Sequence, residues 1–242
     1  MGYGYTPPAN PAFEMRMRGE IIAAARAMNA GGTDFSTFKN SRCNPRFWTR
    51  TANGGFELNA NVTPSAAIND IFVNGQLYAF ECAMAMVMIL YRATISMIGE
   101  AAFNRYFTGL FLWDWSYDSN LKMITTFNLA ELQPGDVVYF KNPDHDPNKP
   151  EWQGENAIML SADRYYGHGL GIKSASEMIT SLNRQRVPGS RTSAYLADEG
   201  LHPDFAYIAS LGNARFGPPV SGKDEAGEAI YSRIGVKSYI IR

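Results

Sequence analysis

The hydrophobic pattern is most concentrated in GQLYAFECAMAMVMILYR, residues 75–92, where a mixed stretch gives way at Cys82 to an apolar run that lasts to Tyr91. Its length and its Met and Ala content predict a buried helix, and it is too short to cross a bilayer. Glu81 and Cys82 then fall at the helix N-terminus. Unpaired amides and the helix dipole favour negative charge there and lower a thiol pKa, which is the setting of a nucleophilic cysteine. Both residues also have a structural explanation. A free cysteine commonly packs as a small hydrophobe, and an acid in a first turn commonly serves only the dipole.

Helical spacing of apolar residues over 13–32 predicts a long first helix closing on Gly31 and Gly32. An Asn-Gly-Gly turn before Phe56 predicts a short hairpin over 46–60. Thr63 or Ser65 is placed to cap a helix that starts on Pro64, and GEAAFNRYF extends the helical region beyond the buried run. Trp113 and Trp115 alternate as on one face of a strand. A Pro-Gly-Asp turn leads into the strand VVYF, and GENAIMLSADRYYGHGLGI reads as strand, turn, strand. PDHDPNKPEWQ, between these, is a loop by composition. SASEMITSLNRQR predicts a later helix, and the tail holds a Gly-rich linker before a strand-like SYIIR. Helices followed by antiparallel strands predict an α+β fold with the Cys82 helix packed on a small antiparallel sheet and further helices around it. That is the arrangement of papain-like cysteine enzymes, with the thiol at a helix N-terminus facing a base on the sheet.

With 242 residues, 45% of them hydrophobic, the chain is large enough for one full core. We expect a single domain over 13–242 behind a flexible Gly-, Pro- and Tyr-rich arm, residues 1–12. A net charge of −1 with scattered Lys and Arg gives no footprint for nucleic acid or a membrane surface. Cys43 and Cys82 are too few for a secreted disulfide framework and read as thiols in a reducing compartment. The N-terminus lacks the pattern of a secretory signal. Met-Gly with Thr6 fits myristoylation in position only, with no basic stretch to add a second membrane signal. Asp144, His145 and Asp146 resemble metal ligands, but no second ligand set follows at suitable spacing, so a solvated loop and no metal are expected. His202, like His145, falls in a polar loop and receives no role.

The region around residue 155 resembles cysteine peptidases of bacterial cell-wall turnover, in which a Pro-Gly-Asp turn and an apolar strand precede a second strand opening on the catalytic histidine. Glu155 stands at that histidine position, and His168 at the later polar one. With this departure, YAFECA, IGEAAFN, DWSYD, GDVVYFKNPDHDP, EWQGENAIML, YYGHGLGI and LNRQRVPGSRTSAYL together resemble the Bacillus-type spore-coat transglutaminases, which are protein-glutamine γ-glutamyltransferases. The similarity runs from about Phe13 to Tyr195. The tail over 197–242 matches poorly, and the family's longer segment before the first helix has no counterpart.

The resemblance implies that Cys82 is the nucleophile and Glu155 its principal partner. Glu81 would substitute in part, and His168 would stand nearby as a further member. Trp115, Trp152 and Asn156 would border the substrate passage. No calcium or other cofactor is implied. The implied partners are proteins presenting Gln and Lys, and the implied location is the mother-cell cytoplasm and then the spore coat. For a glutamate to serve as both base and acid, burial or a second carboxylate must raise its pKa. The alternatives are a cell-wall peptide amidase or peptidase on the same fold, and a non-catalytic coat protein.

Overall fold

The computed structural model describes residues 10–212 and the backbone of 230–234 and 237–241. Residues 1–9 of the expected arm and the Gly-rich linker of the tail lie outside the described residues. The first half holds α1 (Pro11–Ala30), β1 (Asp34–Phe35), β2 (Trp48–Arg50), β3 (Phe56–Leu58), α2 (Pro64–Val73), β4 (Ala79–Phe80), α3 (Cys82–Ile98), α4 (Glu100–Tyr106) and β5 (Phe111–Leu112). The second holds β6 (Met123–Thr126), β7 (Val137–Lys141), β8 (Gly154–Ser161), β9 (Arg164–Gly167), β10 (Gly171–Lys173), α5 (Ala175–Asn183), β11 (Tyr195–Pro203), α6 (Phe205–Leu211), β12 (Ile230–Ile234) and β13 (Lys237–Ile241).

The α+β expectation is met. A six-stranded sheet in the order β10-β9-β8-β7-β11-β6 is antiparallel throughout. Both faces of its centre are covered, as the near-continuous burial of β8 requires. Val137, Ile158 and Tyr166 belong to the core built on α1 and α3, while Val138, Phe140, Ala157 and Tyr165 join Met178 and Leu182 of α5. From Met84 to Leu90, α3 is almost wholly inaccessible to solvent. A helix apolar all round is stable only in such a core. It ends at Gly99, whose φ of 81° suits a residue without a Cβ.

The first helix begins earlier than its hydrophobic spacing indicates, so residues 11 and 12 are helical and do not belong to an arm. The Asn10 side chain accepts from the Phe13 amide at 3.1 Å, and Pro11 sits at the first helical position. The 46–60 hairpin forms with β2 and β3 and gains β5 as a third strand. Thr63 is the N-cap of α2, but its hydroxyl does no capping; the Ser65 amide instead donates to Asn104 Oδ1 at 2.8 Å. Trp113 and Trp115 do not share a strand face. β5 stops at Leu112, and Asp114 turns the chain with a left-handed φ of 49°. β6 and β11 carry no alternation strong enough to announce them: β11 is interrupted by Asp198, Glu199 and Gly200, and its register shifts between Leu196 and Gly200.

A buried ion cluster ties α1 to the turn before β7. Arg18 contacts Glu14 at 2.8 Å and Asp136 at 2.6 Å, all three being buried, and Asp136 also accepts from the Gln133 amide at 2.8 Å. Replacing Arg18 by Met removes the shared cation from two buried carboxylates. Urea denaturation should show a loss of about 3–5 kcal/mol.

Candidate active site

Glu81 is the N-cap of α3. Its backbone is extended, and its carboxylate accepts from the amides of Ala83 and Met84, each at 2.7 Å. Two of the helix's orphan donors are satisfied this way, and the first helical residue, Cys82, is fixed beside them. The sulfur faces β8. Asn156 Nδ2 lies 3.4 Å from Cys82 Sγ, and the Asn156 backbone amide donates to the sulfur as well.

Glu155 precedes Asn156 on β8, opposite Phe140 of β7, and is buried. Its Oε1 has no hydrogen-bond partner among the described residues. The carboxyl rests over Gly167 of β9, where a Cβ would come within 2.7 Å of Oε1 and 2.8 Å of Cγ. Only glycine leaves that volume to the glutamate.

The electrostatics follow from burial and from carboxylates crowding one thiol. Burial, then the charge of Glu81, pushes Glu155 well above the usual carboxylate range. Burial raises Glu81 too, and the charge of Asp114 adds to it, while the two helix amides pull the other way. The helix-terminus expectation for Cys82 is corrected. Burial, followed by the charges of Glu155 and Glu81, holds the thiol well above its ordinary pKa, and the Asn156 donors oppose this only in part. The resting sulfur is a thiol, and the glutamates expected to have raised pKa values have them.

Cys82 and Glu81 line a cavity of about 640 Å³ whose walls include Phe35, Phe38, Trp115, Phe127, Tyr139 and Asn156. Trp115, expected to border a substrate passage, lines this cavity. Trp152 is not among the lining residues. A 3-10 turn over Pro150–Trp152 points it inward against the cluster of Val138, Phe140 and Ala157, and its carbonyl accepts from Asn142 Nδ2 at 2.9 Å. It anchors the loop while its neighbours Glu151 and Gln153 face the cavity.

His168 is also off the cavity. It stacks on Phe80 with ring centroids 4.5 Å apart; Nδ1 lies 3.0 Å from the Tyr166 hydroxyl and Nε2 3.1 Å from the Asp34 carbonyl. Burial lowers its pKa to about 4, so the ring is neutral, with Nε2–H donating to Asp34 and Nδ1 accepting from Tyr166. Both nitrogens are occupied, and the ring braces β4 immediately before Glu81. Asp144 accepts from the Ser190 hydroxyl, Asp146 from the Asn148 amide, and His145 meets the Asn142 carbonyl. Among the described residues no group of three or more His, Cys, Asp or Glu side chains could hold a metal ion.

Three acidic cavity residues escaped the sequence reading: Asp114, Glu151 and Glu199. The first two had a signal, each being next to a tryptophan. Glu199 had none, since the register shift in β11 decides which way it points.

Fold and site together define a class, acyl-transfer enzymes that work through a cysteine at the start of a buried helix on an antiparallel sheet. The family model for protein-glutamine gamma-glutamyltransferase matches residues 1–212. The chain belongs to that family. It is 48% identical over 196 residues to the protein-glutamine gamma-glutamyltransferases of Bacillus mycoides (strain KBAB4) and Bacillus cereus (strain B4264), a match covering 81% of this chain and 71% of each relative. Its structure is similar to a transglutaminase from Geobacillus stearothermophilus without its C-terminal extension, with a TM-score of 0.80 and 45% identity over 84% of this chain and 97% of the other.

Two expectations test the electrostatics. Gly167→Ala should keep the fold and displace the Glu155 carboxyl, cutting kcat for acyl transfer by about 10- to 100-fold with little change in KM; unaltered kcat would show that the carboxyl does not need that volume. Glu155→Gln removes a negative neighbour and so lowers the thiol pKa. Its alkylation by iodoacetamide at pH 7 should be faster than wild type, with the rate-pH profile displaced towards lower pH, even as acyl transfer falls.

Proposed function

We propose that the protein joins glutamine and lysine side chains of other proteins through a Cys82 thioester. The observation that carries this reading is a thiol on the cavity wall, fixed by a helix N-cap, that feels the charges of Glu155 and Glu81, two carboxyls whose raised pKa values make them stronger bases than exposed carboxylates. Glu155 takes the thiol proton as Cys82 Sγ attacks the γ-carboxamide carbon of a bound glutamine. The C–N bond breaks, Glu155 returns the proton to the leaving nitrogen, and ammonia departs. A neutral lysine ε-amine then attacks the thioester carbonyl and gives its proton to Glu155. The C–S bond breaks, an isopeptide bond forms, and the proton goes back to the sulfur.

Each group has its part. Glu155 is the principal base and acid, and Glu81 holds the helix start while sharing the proton load. Asn156 steadies developing negative charge on sulfur through two donors, since hydrogen bonds to the charged form favour it. Trp115, Phe38 and Phe127 narrow the passage and disfavour water, whose attack on the thioester would leave a glutamate in place of a crosslink. His168 acts through Phe80 as a positioning residue. The reading requires no calcium or other cofactor, and the described residues form one catalytic domain. By the resemblance, the crosslinked proteins are those of the spore coat and the protein is made in the mother-cell cytoplasm.

Incorporation of a fluorescent amine into casein tests the reaction. Cys82→Ala should abolish it, Glu155→Ala should lower it by about 100-fold or more, and a chelator should leave the wild-type rate unchanged. Amine incorporation by Cys82→Ala would end this reading, and loss of activity in chelator would end the claim about cofactors.

A further inference from the structure

The reaction proposed above needs two different side chains to reach one sulfur. One, the glutamine carboxamide, is neutral; the other, the lysine amine, arrives in water as a cation. The cavity wall is charged in one sense only. Glu81, Asp114, Glu151 and Glu199 line it, with no Lys, Arg or His among the described lining residues. Glu81 is committed to the amides of α3. Asp114 and Glu199 are exposed and Glu151 is half-buried, and none of these three carboxylates has a salt bridge or side-chain hydrogen bond to another described residue.

They come from separate parts of the chain: the left-handed turn between Trp113 and Trp115, the 3-10 turn before β8, and the irregular stretch of β11. Unpaired charge of one sign on walls of low polarity focuses the field into a cleft and raises the local concentration of the opposite charge. Such a mouth contributes nothing to a carboxamide and much to an ammonium group.

We propose that Asp114, Glu151 and Glu199 form the acceptor-selecting mouth of the cavity, which draws in cationic primary amines, above all the lysine ε-ammonium, in preference to neutral nucleophiles. This rests on the crosslinking reading. Outer acids hold the ammonium group, and Glu81 on the same wall and Glu155, buried on β8 beside the cavity lining, are the carboxyls of raised pKa that receive its proton as it turns into a nucleophile. The same preference favours crosslinking over hydrolysis, because water gains nothing from the mouth.

The test compares two acceptors with one glutamine donor: cadaverine, cationic at neutral pH, and hydroxylamine, largely neutral there. In the variant Asp114→Asn/Glu151→Gln/Glu199→Gln the substitutions are nearly isosteric, and asparagine tolerates the left-handed backbone of position 114. The ratio of kcat/KM for cadaverine to that for hydroxylamine should fall about tenfold relative to wild type. Raising ionic strength from about 0.02 to 0.5 M should lower the wild-type ratio and leave that of the variant nearly level. An unchanged ratio, whether both rates hold or both fall together, overturns the selecting mouth alone. A wild-type protein that makes no product with either amine overturns the crosslinking reading, and the mouth with it.

Discussion

The site depends on how α3 begins. A helix this apolar can exist only inside the core, and a buried helix cannot use water to satisfy its first amides. Glu81 satisfies two of them with one carboxylate, so the residue that caps the helix also fixes the direction of the next side chain. The nucleophile inherits its position from that cap. The covering of α3 by α1 on one side and by the β7–β8 face on the other leaves the helix no freedom to slide, and the sulfur faces the start of β8.

Two acids, Glu155 and Glu81, then act on the thiol and disfavour its ionisation. A helix terminus and two amide donors from Asn156 favour the thiolate; burial and the charges of Glu155 and Glu81 outweigh them. The outcome is a resting state in which the sulfur keeps its proton, while burial makes the Glu155 carboxylate a stronger base than an exposed one. Such a site is primed by proton transfer within it. In the proposed mechanism the thiolate appears when a neighbouring carboxylate takes the proton, which links attack to the later protonation of the leaving group. Gly167 gives Glu155 its place, and His168, neutral and bonded through both nitrogens, supports the floor beneath.

The elements legible in the chain were those whose partners are local. The apolar run after Cys82, the Asn-Gly-Gly hairpin, VVYF and GENAIML all formed as strong short-range patterns do. Trp113 and Trp115 misled because alternation over three residues cannot be told from a turn when the middle residue is an Asp able to adopt a left-handed backbone. β11 was invisible because its register shift breaks the alternation by which a strand is read. Trp152 and Trp115 look alike in sequence, each aromatic beside an acid, and the fold turned one inward and the other to the cavity.

The amino-acid order by itself determined the chemistry on offer: a thiol at the start of a buried helix, an acid before it, and a second acid opening a strand. Those assignments need only helix end effects and short-range periodicity, which act over a few residues. The tertiary structure decided the rest. It decided that Glu155 loses its solvent, that the Cys82 pKa rises instead of falling, that His168 is spent on bracing, and that acids from three separate segments meet at one mouth. Desolvation and long-range charge are properties of what surrounds a group, and no neighbour along the chain supplies them.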